Sequence, residues 1–332
     1  MDYTPFKYGR RRDGLKYNWE EIESYKFTNK PVIFIFGGNL TTTTREANGY
    51  IKLVGSSLES YRAKEVDIIA ASYEGEIAEK RGNEIALSQR AIFNAHNFFD
   101  KTIRPALDKI TSISEMENFL SRMIFVGHSA GAIVINQIMD SMNNYFLYRV
   151  KDNQQMADYL MSDVQCFCYA PGAPIKQNVT AFYATPFFDR ESAWKKLLIS
   201  VQGDIKGEYP ENFTENFDPM KPIGYTNNAL KEHNFVAVRK GNSFILITGK
   251  LSDKNDHSIS CLRNSQSEYS AFVSDCCEGV LKKFVENGQS DFKYSSFHDE
   301  FYKIKEYSER EAQKASIGNE LALNKEIIKN PE

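Results

Sequence analysis

MIFVGHSAGAIVINQIM, residues 123–139, is the stretch that decides the fold. It begins with the apolar run Met123 to Val126, ends with apolar residues from Ile133 at spacings that suit a helix, and holds Gly127-His128-Ser129-Ala130-Gly131-Ala132 between them. Strand chemistry gives way to helix chemistry at the serine. The G-x-S-x-G spacing describes a turn so tight that only small residues fit two positions before and after the serine, which leaves its hydroxyl on a strained apex. The spacing alone is a weak signal. A buried strand directly before it and an apolar helix directly after it supply the context that the motif requires.

Upstream, Pro31 introduces Val32-Ile33-Phe34-Ile35-Phe36, stopped by Gly37-Gly38-Asn39, which reads as a buried strand with a tight exit. A Thr-rich turn, a helix over Arg45 to Arg62 and a second strand over Val66 to Ser72 complete a βαβ unit. Glu84 to Ile110 carries apolar residues at helical intervals and predicts a long amphipathic helix, with Pro105 as a kink or break near its end. Downstream, Val164 to Ala170 predicts a fourth strand stopped by Pro171-Gly172-Ala173-Pro174, and Leu197 to Val201 a fifth stopped by Gln202-Gly203-Asp204. Residues 206–232 read as an irregular loop or cap. Asn234 to Arg239 and Ser243 to Thr248, joined by Lys240-Gly241-Asn242, read as a hairpin, and helices follow over Ser267 to Asn287 and Asp299 to Lys329. Strands separated mostly by helix-length segments imply an α/β fold, a mostly parallel central sheet with helices on both faces. The domain organisation expected is an N-terminal extension over 1–30, an α/β domain over 31–290 with a cap or loop insertion at about 205–233, and a C-terminal helical extension over 291–332.

The 332 residues, 42% hydrophobic and 26% charged, suit one large domain with a sizeable core and exclude disordered and fibrous classes. A formal net charge of −3 offers no global field for nucleic acid, and the basic run Lys7, Arg10, Arg11, Arg12 reads as a solvated arm. No apolar run approaches the roughly 20 residues needed to span a bilayer, and no secretory signal is visible. The five cysteines are odd in number and form no C-x-x-C pair, so neither a zinc site nor a disulfide framework is expected. A reducing compartment such as the cytoplasm fits, as does export without a cleavable signal.

A serine hydroxyl is a poor nucleophile at neutral pH and needs a base, with a carboxylate to orient that base. Of five histidines, His96 lies in the amphipathic helix as a packing or surface residue, His128 is inside the elbow, and His233 and His298 follow no buried strand. His257, in the polar loop after the last strand, stands where the order serine, acid, histidine puts the base; the plainer alternative is a solvated loop histidine. Asp204, after Gly203 at the carboxyl end of the fifth strand, is the expected acid, against a turn-capping role and against Asp163, Asp189, Asp253 and Asp256. Donors for the oxyanion are expected from the N–H of Ala130 and from the exit of the first strand at Gly38 and Asn39, unless that exit is only a Gly-Gly turn. This chemistry needs no metal and no organic cofactor.

These residues resemble the α/β-hydrolase superfamily, and within it they are most similar to the class 3 (fungal-type) lipases. Phe36-Gly37-Gly38-Asn39 sits where that family has F-R-G-T, Gly127 to Ala132 where it has G-H-S-L-G-G, and Asp204 and Asp256-His257 where its late acid and base fall. The likeness runs from about Val32 to Asn287, with Gly37, Ala130 and Ala132 replacing the family's Arg, Leu and second Gly. It implies an esterase or lipase with Ser129, Asp204 and His257 as triad and Asn39 as a donor carried over from the Thr position. The general look is shared by bacterial lipase effectors, which are delivered without cleavable signals.

The substrate expected is a small-molecule or lipid ester, with transient contact to a membrane surface and no nucleic-acid partner. Phe182, Tyr183, Phe187, Phe188 and Trp194, with residues 206–232, either line an acyl pocket or pack helices on the sheet. Two other readings stay open: an inactive hydrolase-like binding protein, and an acyltransferase using the same three residues.

Overall fold

Val32–Phe36 forms a strand because β-branched and aromatic residues tolerate a pleat buried on both sides, and every one of its residues is buried. The computed structural model describes residues 7–11, 19–22, 24–38, 49–50, 66–72, 78–81, 84–186, 236–240, 242–248, 281 and 284 of the chain. Among these the strands are β1 (Lys7–Arg11), β2 (Trp19–Ile22), β3 (Val32–Phe36), β4 (Asp67–Ser72), β5 (Ala78–Arg81), β6 (Glu84–Leu87), β7 (Met123–His128), β8 (Gln165–Tyr169), β9 (Thr180–Pro186), β10 (Val236–Lys240) and β11 (Ser243–Thr248). The helices are α1 (Gln89–Phe98), α2 (Arg104–Leu107), α3 (Ile113–Ser121), α4 (Ala130–Arg149) and α5 (Gln154–Met161).

A nine-stranded sheet runs in the order β10-β11-β9-β8-β7-β3-β4-β1-β2, and β5-β6 form a separate ribbon. From β4 through β3, β7, β8 and β9 to β11 every pairing is parallel; the antiparallel pairs β1–β4, β1–β2 and β10–β11 close the two sides. This order, with a serine turn leaving the central strand β7, is the α/β-hydrolase architecture expected from the sequence. Alternation along β3 sends Val32, Phe34 and Phe36 into one cluster with Ala95 and Phe98 of α1, Leu120 of α3 and Ile135 and Met139 of α4. Ile33 and Ile35, on the opposite face, are equally buried, as are Leu281 and Phe284, both helical and both outside that cluster. Helix α4 packs on β7 and β3 and is buried on nearly every turn, as a central core helix must be.

The structure corrects some of these expectations and sharpens others. The long helix starts at Gln89, not at Glu84: Ser88 takes extended backbone and its side chain accepts from the N–H of Ala91, a cap that ends the strand β6 before it. Where Pro105 was expected as a kink or break, the regular helix is interrupted just before it by a π-turn over Phe99–Ile103, the N–H of Arg104 reaching back to the carbonyl of Phe99. The run at Lys7 to Arg11 is no solvated arm but a strand paired with β4, since backbone pairing does not depend on the side chains' charge. The sheet therefore takes in part of the segment expected as an extension. Finally, the strand beside β8 is Thr180–Pro186, with Phe182 and Tyr183 buried in the sheet rather than lining an acyl pocket.

The hairpin forms, with Lys240, expected in its turn, instead ending the strand β10 opposite Ser243. Leu197 to Val201, residues 205–233, Phe187, Phe188, Trp194 and residues 291–332 lie outside the described residues. Among the described residues no helix is long and apolar enough to cross a membrane.

Candidate active site

At the end of β7 the chain turns within one residue. Ser129 has φ 52° and ψ −122°, a left-handed backbone that a side-chain-bearing residue adopts only when its surroundings force it, at about 1–3 kcal/mol. Three backbone bonds impose it: the N–H of Ser129 donates to the carbonyl of Tyr169 (3.2 Å), and its carbonyl accepts from Ala132 (3.2 Å) and Gly172 (2.8 Å). The exit of β8 thus braces the turn from one side.

The exit of β3 braces it from the other. A Cβ on Gly131 would fall 2.0 Å from the carbonyl oxygen of Phe36 and 2.7 Å from that of Gly37, so the first turn of α4 lies directly on the β3 backbone. A Cβ on Gly127 would fall 2.8 Å from Ile135 Cδ1 and 3.1 Å from the backbone of Ala132. Both glycines of the motif are therefore steric requirements of packing α4 against β7 and β3.

Ala130, buried, is the first residue of α4, so its N–H has no acceptor within the helix and points with the positive end of the helix dipole toward the serine turn. Gly38 stands close to the nucleophile: a Cβ there would lie 3.3 Å from Ser129 Cβ and 3.3 Å from His128 Nδ1. Its N–H donates to the hydroxyl of Tyr50 (3.1 Å), and that hydroxyl lies 2.6 Å from His128 Nδ1. The imidazole of His128 is buried and stacks on Tyr169, with ring centroids 6.1 Å apart and an interplanar angle of 23°. The sequence offered no signal for Tyr50, because the contact joins a residue inside an expected helix to a strand exit 12 positions away.

Ser129, Ala130 and Gly38 are brought together at the carboxyl end of the sheet, whereas Asn39, Asp204 and His257 lie outside the described residues, as do Asp189, Asp253, Asp256, His233 and His298. Asp163 precedes β8 and so sits at the amino end of the sheet, the length of a strand away from Ser129. His96 is occupied elsewhere. Its Nδ1 lies 2.6 Å from Ser141 Oγ, and that hydroxyl also stands 3.0 Å from the carbonyl of Gln137.

Cys168, paired in register with Gly127, is fully buried; desolvation pushes its thiol up to about 12 despite a backbone hydrogen bond from Gly127. Burial also raises Cys166, and neither thiol is a thiolate at neutral pH. Among the described residues no group of three or more His, Cys, Asp or Glu is gathered that would hold a metal ion.

No protein-family model and no curated protein sequence matches the chain. Among solved structures it is similar to a "putative carboxylesterase" from Lactobacillus plantarum WCFS1, with 14% identity and a TM-score of 0.33 over 62% of this chain and 81% of that one. It is also similar to a "predicted CIB-like hydrolase" from Thermoplasma acidophilum, with 15% identity and a TM-score of 0.27 over 55% of this chain and 74% of that one. The strand order and the turn at Ser129 are those of the α/β-hydrolase fold.

Proposed function

We propose that the protein is a serine hydrolase of carboxylic esters, with a small-molecule or lipid ester as substrate. The single observation that carries this reading is Ser129 at φ 52° on the carboxyl end of the central strand, with a helix N-terminus behind it and the backbone of Gly38 beside it. A position that stores strain and places a hydroxyl beside the backbone N–H of a helix start is suited to acyl transfer.

In this mechanism His257 accepts the proton of Ser129 Oγ as the oxygen attacks the ester carbonyl. The negative charge that forms on the carbonyl oxygen is met by the N–H of Ala130 and by that of Asn39 at the β3 exit, while Gly38, expected as a further donor, has its own N–H engaged by the Tyr50 hydroxyl. Collapse breaks the bond to the alcohol, which leaves with the proton held by His257. Water, deprotonated by the same imidazole, then attacks the acyl-enzyme and releases the acid and Ser129. The assignment of His257 is supported by β11 running parallel to β9, which makes the loop after Thr248 leave the sheet at the end where Ser129 lies.

Asp204 is the acid on the sequence reading. A second candidate is favoured by the course of β9: Pro186 pairs with Thr248 at the carboxyl end, and Asp189 follows it by no more than about 10 Å of chain. Asp204→Asn and Asp189→Asn, compared on a short-chain p-nitrophenyl ester, separate the two, since the variant that loses about 10⁴ in kcat marks the orienting carboxylate.

A fluorophosphonate probe tests the function itself. Labelling of the wild type that disappears in Ser129→Ala is the expected outcome; absence of labelling in the wild type favours a binding protein on a hydrolase scaffold and overturns the proposal. A product assay with added alcohol distinguishes hydrolysis from acyl transfer.

A further inference from the structure

The hydroxyl of Tyr50 does two things at once. It accepts the N–H of Gly38 (3.1 Å), and it makes a short hydrogen bond of 2.6 Å with Nδ1 of the residue that precedes the nucleophile. Gly37 and Gly38 form the least constrained backbone of the β3 exit, because glycine explores left-handed and right-handed conformations alike. Yet this backbone has to hold still within a few tenths of an ångström if it is to meet a developing oxyanion. Something outside the loop must anchor it.

We propose that Tyr50, set by His128, is a positioning residue that clamps the β3 exit against Ser129. The path is closed. Ser129 is bonded to His128, His128 Nδ1 meets the Tyr50 hydroxyl, that hydroxyl takes the Gly38 N–H, and Gly38 lies against Ser129. His128 is suited to be the fixed end: its ring is buried and stacked on Tyr169, whose carbonyl accepts the Ser129 N–H. Any shift of the nucleophile is thereby transmitted to the loop, and the two move together. With its N–H committed to Tyr50, Gly38 serves the oxyanion site as an anchored hinge rather than as a donor.

The inference rests on the hydrolase reading, and the test keeps the two apart. Kcat and KM on p-nitrophenyl acetate, the rate of fluorophosphonate labelling per titrated serine, and the thermal midpoint are measured for the wild type, Tyr50→Phe, His128→Leu and His128→Asn. Tyr50→Phe keeps the ring and removes only the clamp. It is expected to lower kcat and the labelling rate about 10- to 100-fold with KM within about twofold. His128→Leu is expected to fall in the same way, and His128→Asn, which restores a polar atom near the place of Nδ1, to recover most of that loss. A role in stability alone lowers the thermal midpoint and leaves the rate per titrated serine unchanged, and that result overturns the clamp. Equal losses in His128→Asn and His128→Leu overturn it as well, and if Tyr50→Phe fails to fold, this pair decides. A wild type that the probe does not label overturns the hydrolase reading, and the catalytic role of the clamp with it.

Discussion

Gly131 and Gly127 show how much one hydrogen in place of a methyl can decide. A methyl on Gly131 meets the carbonyl oxygen of Phe36, which belongs to the backbone of the central sheet and cannot step aside, and that of Gly37 just beyond it. A methyl on Gly127 first meets the end of the Ile135 side chain, which can rotate, although the backbone of Ala132 is also near. Gly131→Ala is therefore expected to cost more than about 3 kcal/mol in urea unfolding, and Gly127→Ala about 1–2 kcal/mol. Equal costs would show that helix α4 does not bear on the β3 backbone as described. This steric demand is legible in the sequence, because the motif's small residues and the flanking apolar runs are adjacent along the chain. The hydrogen bond from Gly38 to Tyr50 is not, because neither residue type at that spacing implies it.

Between elements, Asn136 joins α4 to the loop that follows β8. Its side-chain amide donates to the carbonyl of Pro174 (2.6 Å) and its oxygen accepts from the N–H of Lys176 (2.8 Å), while the preceding N–H, that of Ile175, donates to the buried Tyr183 hydroxyl (2.9 Å). The same loop supplies the Gly172 N–H that holds the Ser129 carbonyl, so a buried polar residue of α4 supports the serine turn at second hand. Asn136→Ala is expected to destabilise by about 2–3 kcal/mol and to speed hydrogen exchange at the amide of Lys176. Loss of stability with no change in that exchange would place the effect elsewhere. From sequence, Asn136 reads only as a break in an apolar run. Element boundaries were equally local in origin but harder to read: the Ser88 cap and the π-turn before Pro105 each shift a helix that periodicity alone runs from Glu84 to Ile110.

For the molecule as a whole, burial in the sheet makes an alkaline limit to stability. Cys166, Cys168 and Tyr183 are fully buried and keep their protons well above their ordinary values, Cys168 up to about 12 from 9.0. Above about pH 9 the unfolded chain releases protons that the folded chain retains, so the contribution of these groups is complete below that pH and is lost as pH rises toward 12. Thermal midpoints are expected to be flat up to about pH 9 and to fall above it, each group contributing up to about 1.4 kcal/mol per pH unit. Cys168→Ala should shift the curve by a constant amount and make its alkaline limb shallower. An unchanged slope in that variant would assign the limb to other groups.

Residues 123–139 and the run at Val32 determined by themselves that a parallel sheet turns into a helix at a serine, because a strand, a cramped turn and a helix are each dictated by residues in sequence contact. The hairpin ending at Thr248 belongs with them, its turn residues lying between two strand-forming runs. Only the tertiary structure decided that Lys7–Arg11 joins the sheet, that Thr180–Pro186 takes the place beside β8, and that Tyr50 reaches Gly38 and His128. Each of these is a pairing between distant segments, governed by which backbone donors and acceptors are left to satisfy once the central strands have assembled, and no local pattern of residue types carries that information.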